Sequence, residues 1–253
     1  MMTQAPQLRF DDLTLGYERH PAVHHLTGAV KAGALLAVIG PNGGGKSTLL
    51  RAIVGLLPPL GGTLARNGID PRDIAYLPQI AEVDRSFPIS VFDFVSTGLW
   101  RVRGAFGGLR RADQDRIFHA LAAVGLNGFE RRGIGTLSGG QAQRMLFARM
   151  LLQDARMIVL DEPFNAIDSK TVEDLFALVV QWHGEGRTIV VALHDLDLVM
   201  ARFPETLVLA RTKVAWGATA QVLTADNLQA ARRMCEAFDD QAAACAAPPA
   251  RAA

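Results

Sequence analysis

The chain contains Gly40-Pro41-Asn42-Gly43-Gly44-Gly45-Lys46-Ser47-Thr48, which matches the pattern G-x-x-x-x-G-K-[ST]. A compact apolar run, 34–39, precedes this stretch, and apolar residues follow it at helical spacing until two prolines, at 58 and 59, end the pattern. The predicted order is therefore strand, glycine loop and helix, with the helix continuing to about residue 57. The N–H groups of such a loop and the positive end of the helix bind phosphate groups.

The residues of this phosphate loop (40–48) predict a nucleotide site with Mg²⁺. In the matched pattern the lysine, here Lys46, contacts the β- and γ-phosphates, and the hydroxyl of Ser47 is one ligand of Mg²⁺. A glycine-rich turn without a ligand is the alternative interpretation. Because a strand precedes the loop and a helix follows it, the nucleotide site is favoured, and we expect every residue of the loop to bind ATP.

A second apolar run, 157–160, ends at a pair of carboxylates, Asp161 and Glu162. Taken alone, an Asp-Glu-Pro sequence at a strand end is more often a polar turn. In a chain that also contains a phosphate loop, the pair is suited to hydrolysis. We interpret Asp161 as a ligand of Mg²⁺ and Glu162 as the catalytic group that polarises the attacking water.

Composition and charge exclude several classes of protein. The chain has 253 residues, 49% of them hydrophobic, and a net charge of +1 with its basic residues spread along the sequence, which argues against a general nucleic-acid binder. Its two cysteines, Cys235 and Cys245, lack the spacing of a disulfide framework or a four-ligand zinc site. Since no stretch approaches the roughly 20 apolar residues of a membrane span, we expect the chain not to cross a bilayer.

The alternation of predicted strands and helices indicates an α/β fold. Strands are predicted at 8–17, 34–39, 157–160 and 188–193, and a final hairpin at 205–216. Residues 88–149 are predicted to be mostly helical, and Asp168 or Ser169 is predicted to cap a helix that runs to about residue 183. The Ala/Pro-rich tail, 242–253, is predicted to be disordered.

One further motif makes a family resemblance specific. Leu137-Ser138-Gly139-Gly140-Gln141 matches the signature of ABC ATPases, and the motifs of this chain follow the family's order over residues 8–228. The resemblance implies a P-loop NTPase core with a small antiparallel β region. It also implies a helical subdomain at about 88–150, within a single ABC ATPase domain that covers 1–241.

The same resemblance implies roles for several more residues. Ser138, Gly139, Gly140 and Gln141 correspond to residues that bind ATP held by the opposite subunit, which implies a head-to-tail homodimer. Tyr17 matches the aromatic residue that stacks on adenine. Gln79 matches the catalytic glutamine that senses Mg²⁺ and water, and His194 matches the switch histidine that contacts the γ-phosphate.

The sequence departs from the family pattern at a few positions. Asn165-Ala166-Ile167-Asp168 stands where the family usually has Ser-Ala-Leu-Asp, and Gly44 stands where many relatives have alanine or serine. The departures within 165–168 keep a small polar residue at the start of that motif and an acid at its end. Since no essential position is missing, the resemblance implies active ATP hydrolysis.

Four short segments resemble the ATPase subunits of bacterial zinc and manganese importers: Tyr76–Gln79, Asp84–Pro88, Val91–Val95 and Gly98–Trp100. They lie where such subunits dock on their membrane partner. The segment Cys235–Asp240 resembles the corresponding part of zinc importer ATPases, so zinc is ranked ahead of manganese, iron chelates and haem as the cargo.

The importer resemblance also implies partners and a location. We expect membrane permease subunits, an extracytoplasmic solute-binding protein that acts indirectly, and a peripheral position on the cytoplasmic face of the inner membrane, with no nucleic acid. An exporter subunit is the main alternative, because its ATP chemistry is the same. A soluble ABC ATPase of DNA repair or translation would usually show two fused modules or long coiled-coil insertions, and the sequence shows neither.

Overall fold

The computed structural model describes residues 6–18, 20–104 and 107–236, and the chain divides into two compact units. The first unit consists of 1–71 and 190–253, and the second of 72–189. The predicted disordered tail, 242–253, lies outside the described residues, as do residues 237–240 of the segment that resembles zinc importers. The prediction of one domain over 1–241 stays a prediction.

The elements alternate along the chain as the sequence predicts for an α/β fold. The strands are β1 (Pro6–Tyr17), β2 (His20–Lys31), β3 (Leu35–Ile39), β4 (Gly61–Arg66), β5 (Ile74–Leu77), β6 (Met157–Asp161), β7 (Thr188–Ala192), β8 (Glu205–Ala210) and β9 (Thr212–Ala218). The helices are α1 (Lys46–Ile53), α2 (Val91–Ser96), α3 (Trp100–Arg103), α4 (Arg111–Ala123), α5 (Gly139–Gln153), α6 (Ser169–Gly184), α7 (Leu196–Arg202), α8 (Thr219–Val222) and α9 (Ala225–Glu236). No helix in the described part of the chain is both long and apolar enough to cross a membrane.

The first unit contains the predicted antiparallel β region. β1 pairs antiparallel with both β2 and β4, which gives a three-stranded sheet in the order β2-β1-β4. Four apolar side chains of β1 are almost fully buried: Leu8, Phe10, Leu13 and Leu15. The register of β1 shifts between Phe10 and Leu13, and the irregularity allows buried side chains on both sides of it to face the same core.

The first unit also contains the strand that leads into the phosphate loop. All five residues of β3 are buried, as expected for a strand of a parallel sheet that is covered on both faces. β3 pairs in parallel with β8, and β8 turns back into β9 as an antiparallel hairpin. The predicted strand 34–39 and the predicted hairpin 205–216 are therefore confirmed.

The helix that follows the phosphate loop is shorter than predicted. α1 ends at Ile53 and not near residue 57, because the chain turns at Gly55, where φ is 84°. Arg66 of β4 donates from Nε to the Ile53 carbonyl at 2.8 Å and from Nη2 to the Ala52 carbonyl at 2.5 Å. A side chain from another strand thus satisfies carbonyls at the end of the helix, and the cation lies at its negative pole.

The second unit joins a parallel strand pair to the predicted helical region. β5 and β6 pair in parallel, with Leu77 opposite Leu160. Residues 88–149 form α2, α3, α4 and most of α5, as predicted. Asp168 is the N-cap of α6, and its side chain accepts a hydrogen bond from the Thr171 amide, which settles the predicted choice of cap.

Arg66→Ala should lower the free energy of unfolding by about 2 kcal/mol, since it removes two charge-assisted hydrogen bonds and a favourable interaction with the end of α1. Urea denaturation followed by circular dichroism measures the change. Arg9→Ala is the matched control, because Arg9 is exposed on β1 and its loss should cost less than about 0.5 kcal/mol. Equal effects of the two substitutions would contradict the role of Arg66 at the end of α1.

Candidate nucleotide-binding site

The phosphate loop has a shape that only glycine allows at two of its positions. Gly40 has φ of 154°, and a Cβ there would overlap the carbonyl oxygen of Leu209 in β8. Gly45 has φ of 92°, and a Cβ there would lie 2.5 Å from Cγ2 of Val23 in β2. Because the loop is in such close contact with two strands, its backbone is held in place before any ligand binds.

The helix end that faces the loop is suited to an anion. No side chain caps the N-terminus of α1 at Gly45, and its first turn contains no acidic residue. Lys46 is almost fully buried, and its Nζ donates to the carbonyls of Gly40 at 2.9 Å and Pro41 at 3.1 Å. The lysine charge therefore stays within the loop, where a phosphate group would meet it together with the positive pole of the helix.

Tyr17, the predicted adenine-stacking residue, ends β1 in the same unit. The residue is 44% exposed, so its ring is accessible to a base. The Tyr17 hydroxyl accepts a hydrogen bond from Nη1 of Arg51 in α1 at 3.0 Å. Arg51 thus joins the ring to the helix of the phosphate loop, a contact that the sequence did not indicate.

His194 lies beside the start of the phosphate loop. The amide of Leu193 donates to the carbonyl of Val38 at 3.0 Å, so the residues that directly follow β7 lie beside the end of β3 within the first unit. A cavity of about 150 Å³ has both Gly40 and His194 in its wall, and Arg232 of α9 adds a second basic group. The structure therefore brings the predicted switch histidine to the phosphate loop.

The second unit places three predicted residues at one edge. Leu77 is opposite Leu160 in the parallel pair of β5 and β6. The carboxyl ends of the two strands therefore lie at the same edge. Gln79 follows β5 at this edge, Asp161 is the last residue of β6, and Glu162 comes directly after it. Asp161 is fully buried at the end of β6. A buried carboxylate is costly unless a cation or hydrogen-bond donors compensate it, and Mg²⁺ prefers oxygen ligands of this kind. The Asp161 carboxylate, which accepts a hydrogen bond from the Tyr76 hydroxyl at 3.5 Å, is therefore of the ligand type that the predicted ion prefers.

Glu162 has an unusual backbone conformation, with φ of 50°. Such a conformation is uncommon for a residue other than glycine and occurs at functional sites when the surroundings enforce it. The surroundings here include Phe164, whose ring packs 6.3 Å from Phe147 and 5.9 Å from Phe176. Asn165 donates from Nδ2 to the Glu162 carboxylate at 3.3 Å. Asn165, which departs from the usual serine, thus orients the predicted catalytic residue.

The signature (Leu137–Gln141) forms the start of α5. Ser138 is the N-cap, and it exchanges two hydrogen bonds with Gln141: the Gln141 amide donates to Oγ at 3.2 Å, and the Ser138 amide donates to Oε1 at 3.0 Å. Ser138 and Gly139 are exposed, and the first turn of α5 contains no acidic residue. The helix end is therefore accessible to an anion from outside this chain.

A hydrogen-bond network joins the signature helix to the loop that follows Glu162. Asp168 accepts from the amide and the hydroxyl of Thr171, which lowers the pKa of its carboxyl, and the nearby Arg144 charge lowers the pKa further. Arg144 of α5 donates to the Thr171 hydroxyl at 3.1 Å and to Asp174 at 2.7 Å. The guanidinium group of Arg144 thus joins α5 to the first two turns of α6.

The family model described as ABC transporter matches residues 23–165, more than half of the chain. The chain belongs to the ABC transporter family. It is accordingly an ATP-hydrolysing protein, as its motifs predict.

Curated relatives extend this result along the chain. The manganese transport system ATP-binding protein of Bacillus subtilis is 37% identical over 226 residues, which cover 88% of this chain and 90% of the relative. The zinc transport system ATP-binding protein of Treponema pallidum is 38% identical over 231 residues, covering 88% and 86%.

Solved structures agree with the P-loop NTPase fold of this ABC ATPase. One is a transporter described as of metal-chelate type, in an inward-facing conformation, with a TM-score of 0.79, 29% identity and 90% of each chain covered. A nucleotide-free ATP-binding cassette has a TM-score of 0.77 at 22% identity, covers 90% of this chain and 99% of its own, and supports the fold alone.

Tyr17→Ala should raise the Kd of this ABC ATPase for ATP about tenfold, because stacking of a base on an aromatic ring contributes roughly 1–3 kcal/mol. Arg51→Met should raise Kd less, about threefold, since the ring remains but loses the hydrogen bond that orients it. Fluorescence titration with a labelled ATP analogue measures both. Arg9→Met is the control, and a Kd that is the same in all three variants would refute the adenine contact.

Asn165→Ala should lower kcat about threefold to tenfold without changing the Kd for ATP, because Glu162 loses the group that orients it. Asn165→Asp should lower kcat further, since the new carboxylate has the same shape but cannot donate and repels Glu162. Steady-state ATPase assays compare them with Lys170→Ala, an exposed position on α6. If the alanine and aspartate variants both retain the original kcat, Asn165 does not orient Glu162.

Proposed function

We propose that this ATPase powers the import of a divalent transition metal, with zinc as the cargo, through separate membrane subunits. The observation that carries the proposal is the similarity, over 88% of the chain, to ATP-binding proteins named for manganese and for zinc transport. The segments between Tyr76 and Trp100 that resemble zinc and manganese importers support the same class of cargo. Manganese is the second candidate, because the relatives named for manganese transport and for zinc transport have similar sequence identity to this chain.

The proposed reaction begins with ATP bound by the first unit. Backbone N–H groups of the phosphate loop and the Lys46 ammonium bind the phosphates, Tyr17 stacks on the adenine, and His194 contacts the γ-phosphate. All of these groups belong to one compact unit. The loop has its conformation before ligand arrives, so little ordering energy is spent on binding.

The residues proposed for hydrolysis follow β5 and β6. Glu162 polarises the attacking water, Gln79 senses that water and the ion, and Asn165 holds the Glu162 carboxylate. Ser47, Gln79 and Asp161 would hold Mg²⁺, which neutralises charge on the phosphates when bound.

A second copy of the chain completes the proposed site. The signature offers the N–H groups at the start of α5, and the exposed Ser138 and Gly139 would contact the γ-phosphate of ATP bound by the other copy. Two copies placed head to tail would hold two ATP molecules between them.

Membrane partners account for apolar side chains on the second unit. Large exposed residues occur in or near the segments that resemble metal importers: Phe87, Trp100, Val102 and Phe118. Exposed apolar groups of this size are typical of protein–protein contacts. We propose that they contact the permease subunits. In this arrangement the ATPase lies on the cytoplasmic face of the inner membrane, and an external solute-binding protein has an indirect role.

Complementation of a deletion strain tests both the activity and the cargo. The original chain should restore growth and labelled-zinc uptake under zinc limitation. Glu162→Gln should not, although the purified variant still binds ATP, because it keeps the shape of the side chain but loses the carboxylate.

The same strain is grown under manganese and iron limitation as a comparison. Restoration only under manganese limitation would replace zinc by manganese as the cargo. A growth defect corrected by iron alone would refute metal import of the proposed class, and turnover by Glu162→Gln equal to that of the original chain would refute the catalytic assignment.

A further inference from the structure

Two distant parts of the second unit are paired along their backbones. The segment 87–92 follows Gln79 and its 3₁₀ turn, and the segment 130–137 leads into the signature. The amide of Ile134 donates to the Ile89 carbonyl at 3.1 Å, and the amide of Val91 donates to the Arg132 carbonyl at 2.9 Å. Ser90 and Gly133 form an antiparallel bridge between them. The two segments therefore form one ladder (89–91 with 132–134).

Arg85 extends this ladder to the signature itself. Its Nη2 donates to the carbonyl of Leu137, the residue directly before the N-cap Ser138. The Asp84 carboxylate accepts from the amide of Ser86 at 2.9 Å and from its hydroxyl at 2.6 Å. Both hydrogen bonds lower the pKa of the Asp84 carboxyl, and the one from the hydroxyl has the larger effect. This turn fixes the backbone on both sides of Arg85.

A close backbone contact supports the same pairing. A Cβ at Gly135 would lie 2.8 Å from the carbonyl oxygen of Arg85, closer than Cβ atoms approach other atoms in folded proteins. Around Gly133, in contrast, nothing lies within 4 Å of the corresponding position. Gly135 therefore lets the turn at Arg85 reach the chain just before the signature.

The contacts of Arg85 are not those expected of a residue that only stabilises the fold. Its Nε–H is buried and has no hydrogen-bond partner among the residues that the structure describes. A buried donor without a partner costs free energy. An apolar side chain would avoid this cost, so the presence of a guanidinium here is better explained by its hydrogen bond to Leu137.

We propose that Arg85 is a positioning residue for the signature: through the Leu137 carbonyl it orients Ser138 and the N–H groups at the start of α5. The inference rests on the proposed function, in which those groups bind ATP held by a second copy. It also has a consequence for transport. A partner that displaces 85–91 changes the orientation of the signature, because the ladder and Arg85 move with it.

Substitutions at Arg85 test the proposal in the purified full chain. Arg85→Met should lower kcat about tenfold, since the Leu137 carbonyl loses a charged donor, while the Kd of a single copy for ATP stays within twofold. Arg85→Lys, which keeps one donor at similar reach, should recover most of kcat. Arg116→Met removes the same charge from an exposed position of α4 and should leave kcat unchanged.

Measuring dimer formation distinguishes an effect of Arg85 on the orientation of the signature from a general loss of protein stability. In a Glu162→Gln background, ATP should drive the original chain into dimers that size-exclusion chromatography detects, and adding Arg85→Met should abolish them at the same melting temperature. A loss of dimers that follows a lower melting temperature would overturn the proposal. So would a kcat for Arg85→Met equal to that of Arg116→Met.

The two glycines give an independent test without nucleotide. Gly135→Ala should push the Arg85 turn away and speed hydrogen exchange of the amides of Gln141 and Ala142, which donate to Ser138, by about fivefold or more, whereas Gly133→Ala should leave exchange unchanged. Equal exchange in both variants would overturn the positioning role. Because this readout needs neither dimers nor transport, it fails or succeeds separately from the proposed function.

Discussion

The phosphate loop depends on main-chain contacts that reach it from two strands of the first unit. The amide of His24 in β2 donates to the Arg211 carbonyl at 2.6 Å, and the amide of Arg211 donates to the Gly44 carbonyl at 2.9 Å. Gly40 and Gly45 allow the loop to approach β8 and β2 without a Cβ between them. The antiparallel β region therefore does more than add a sheet to the core, since it fixes the curvature of the phosphate loop. A change in β2 or in the hairpin of β8 and β9 would alter the conformation of this loop through these backbone contacts.

The second unit holds its functional groups by a different means. Glu162 has a strained backbone, and conformations of this kind cost roughly 1–3 kcal/mol. The packing of the Phe164 ring against Phe147 and Phe176 offsets that cost, because aromatic pairs contribute beyond the area they bury. The backbone conformation therefore sets the direction of the Glu162 side chain, and Asn165 donates a hydrogen bond to its carboxylate.

Local patterns in the sequence predicted the elements that local chemistry determines. The apolar runs of β3, β6 and β7 are buried on both faces, so composition alone reveals them. Asp168 has the side chain that caps a helix, and the structure uses it as the cap of α6. The end of α1 was predicted wrongly, because the turn at Gly55 stops the helix before the two prolines; Arg66 from another strand then satisfies its last carbonyls. Arg51 and Arg85 were missed because each contacts a residue more than 30 positions away, and no local pattern reports such contacts. The roles proposed for Gln79, His194 and the signature come from the family resemblance of their motifs, and the structure adds their surroundings.

The contact between Arg85 and Leu137 has a thermodynamic consequence for a transporter. If ATP on a second copy binds one orientation of the signature more tightly, ATP also stabilises the position of 85–91 that produces this orientation. Coupling between two sites is reciprocal, so a membrane partner that prefers this position raises the affinity for ATP by the same factor. A partner that prefers the other position opposes closure by an equal free energy. The ladder between 89–91 and 132–134 provides a rigid route for this coupling, because a shift along it must either break backbone hydrogen bonds or carry the signature with it.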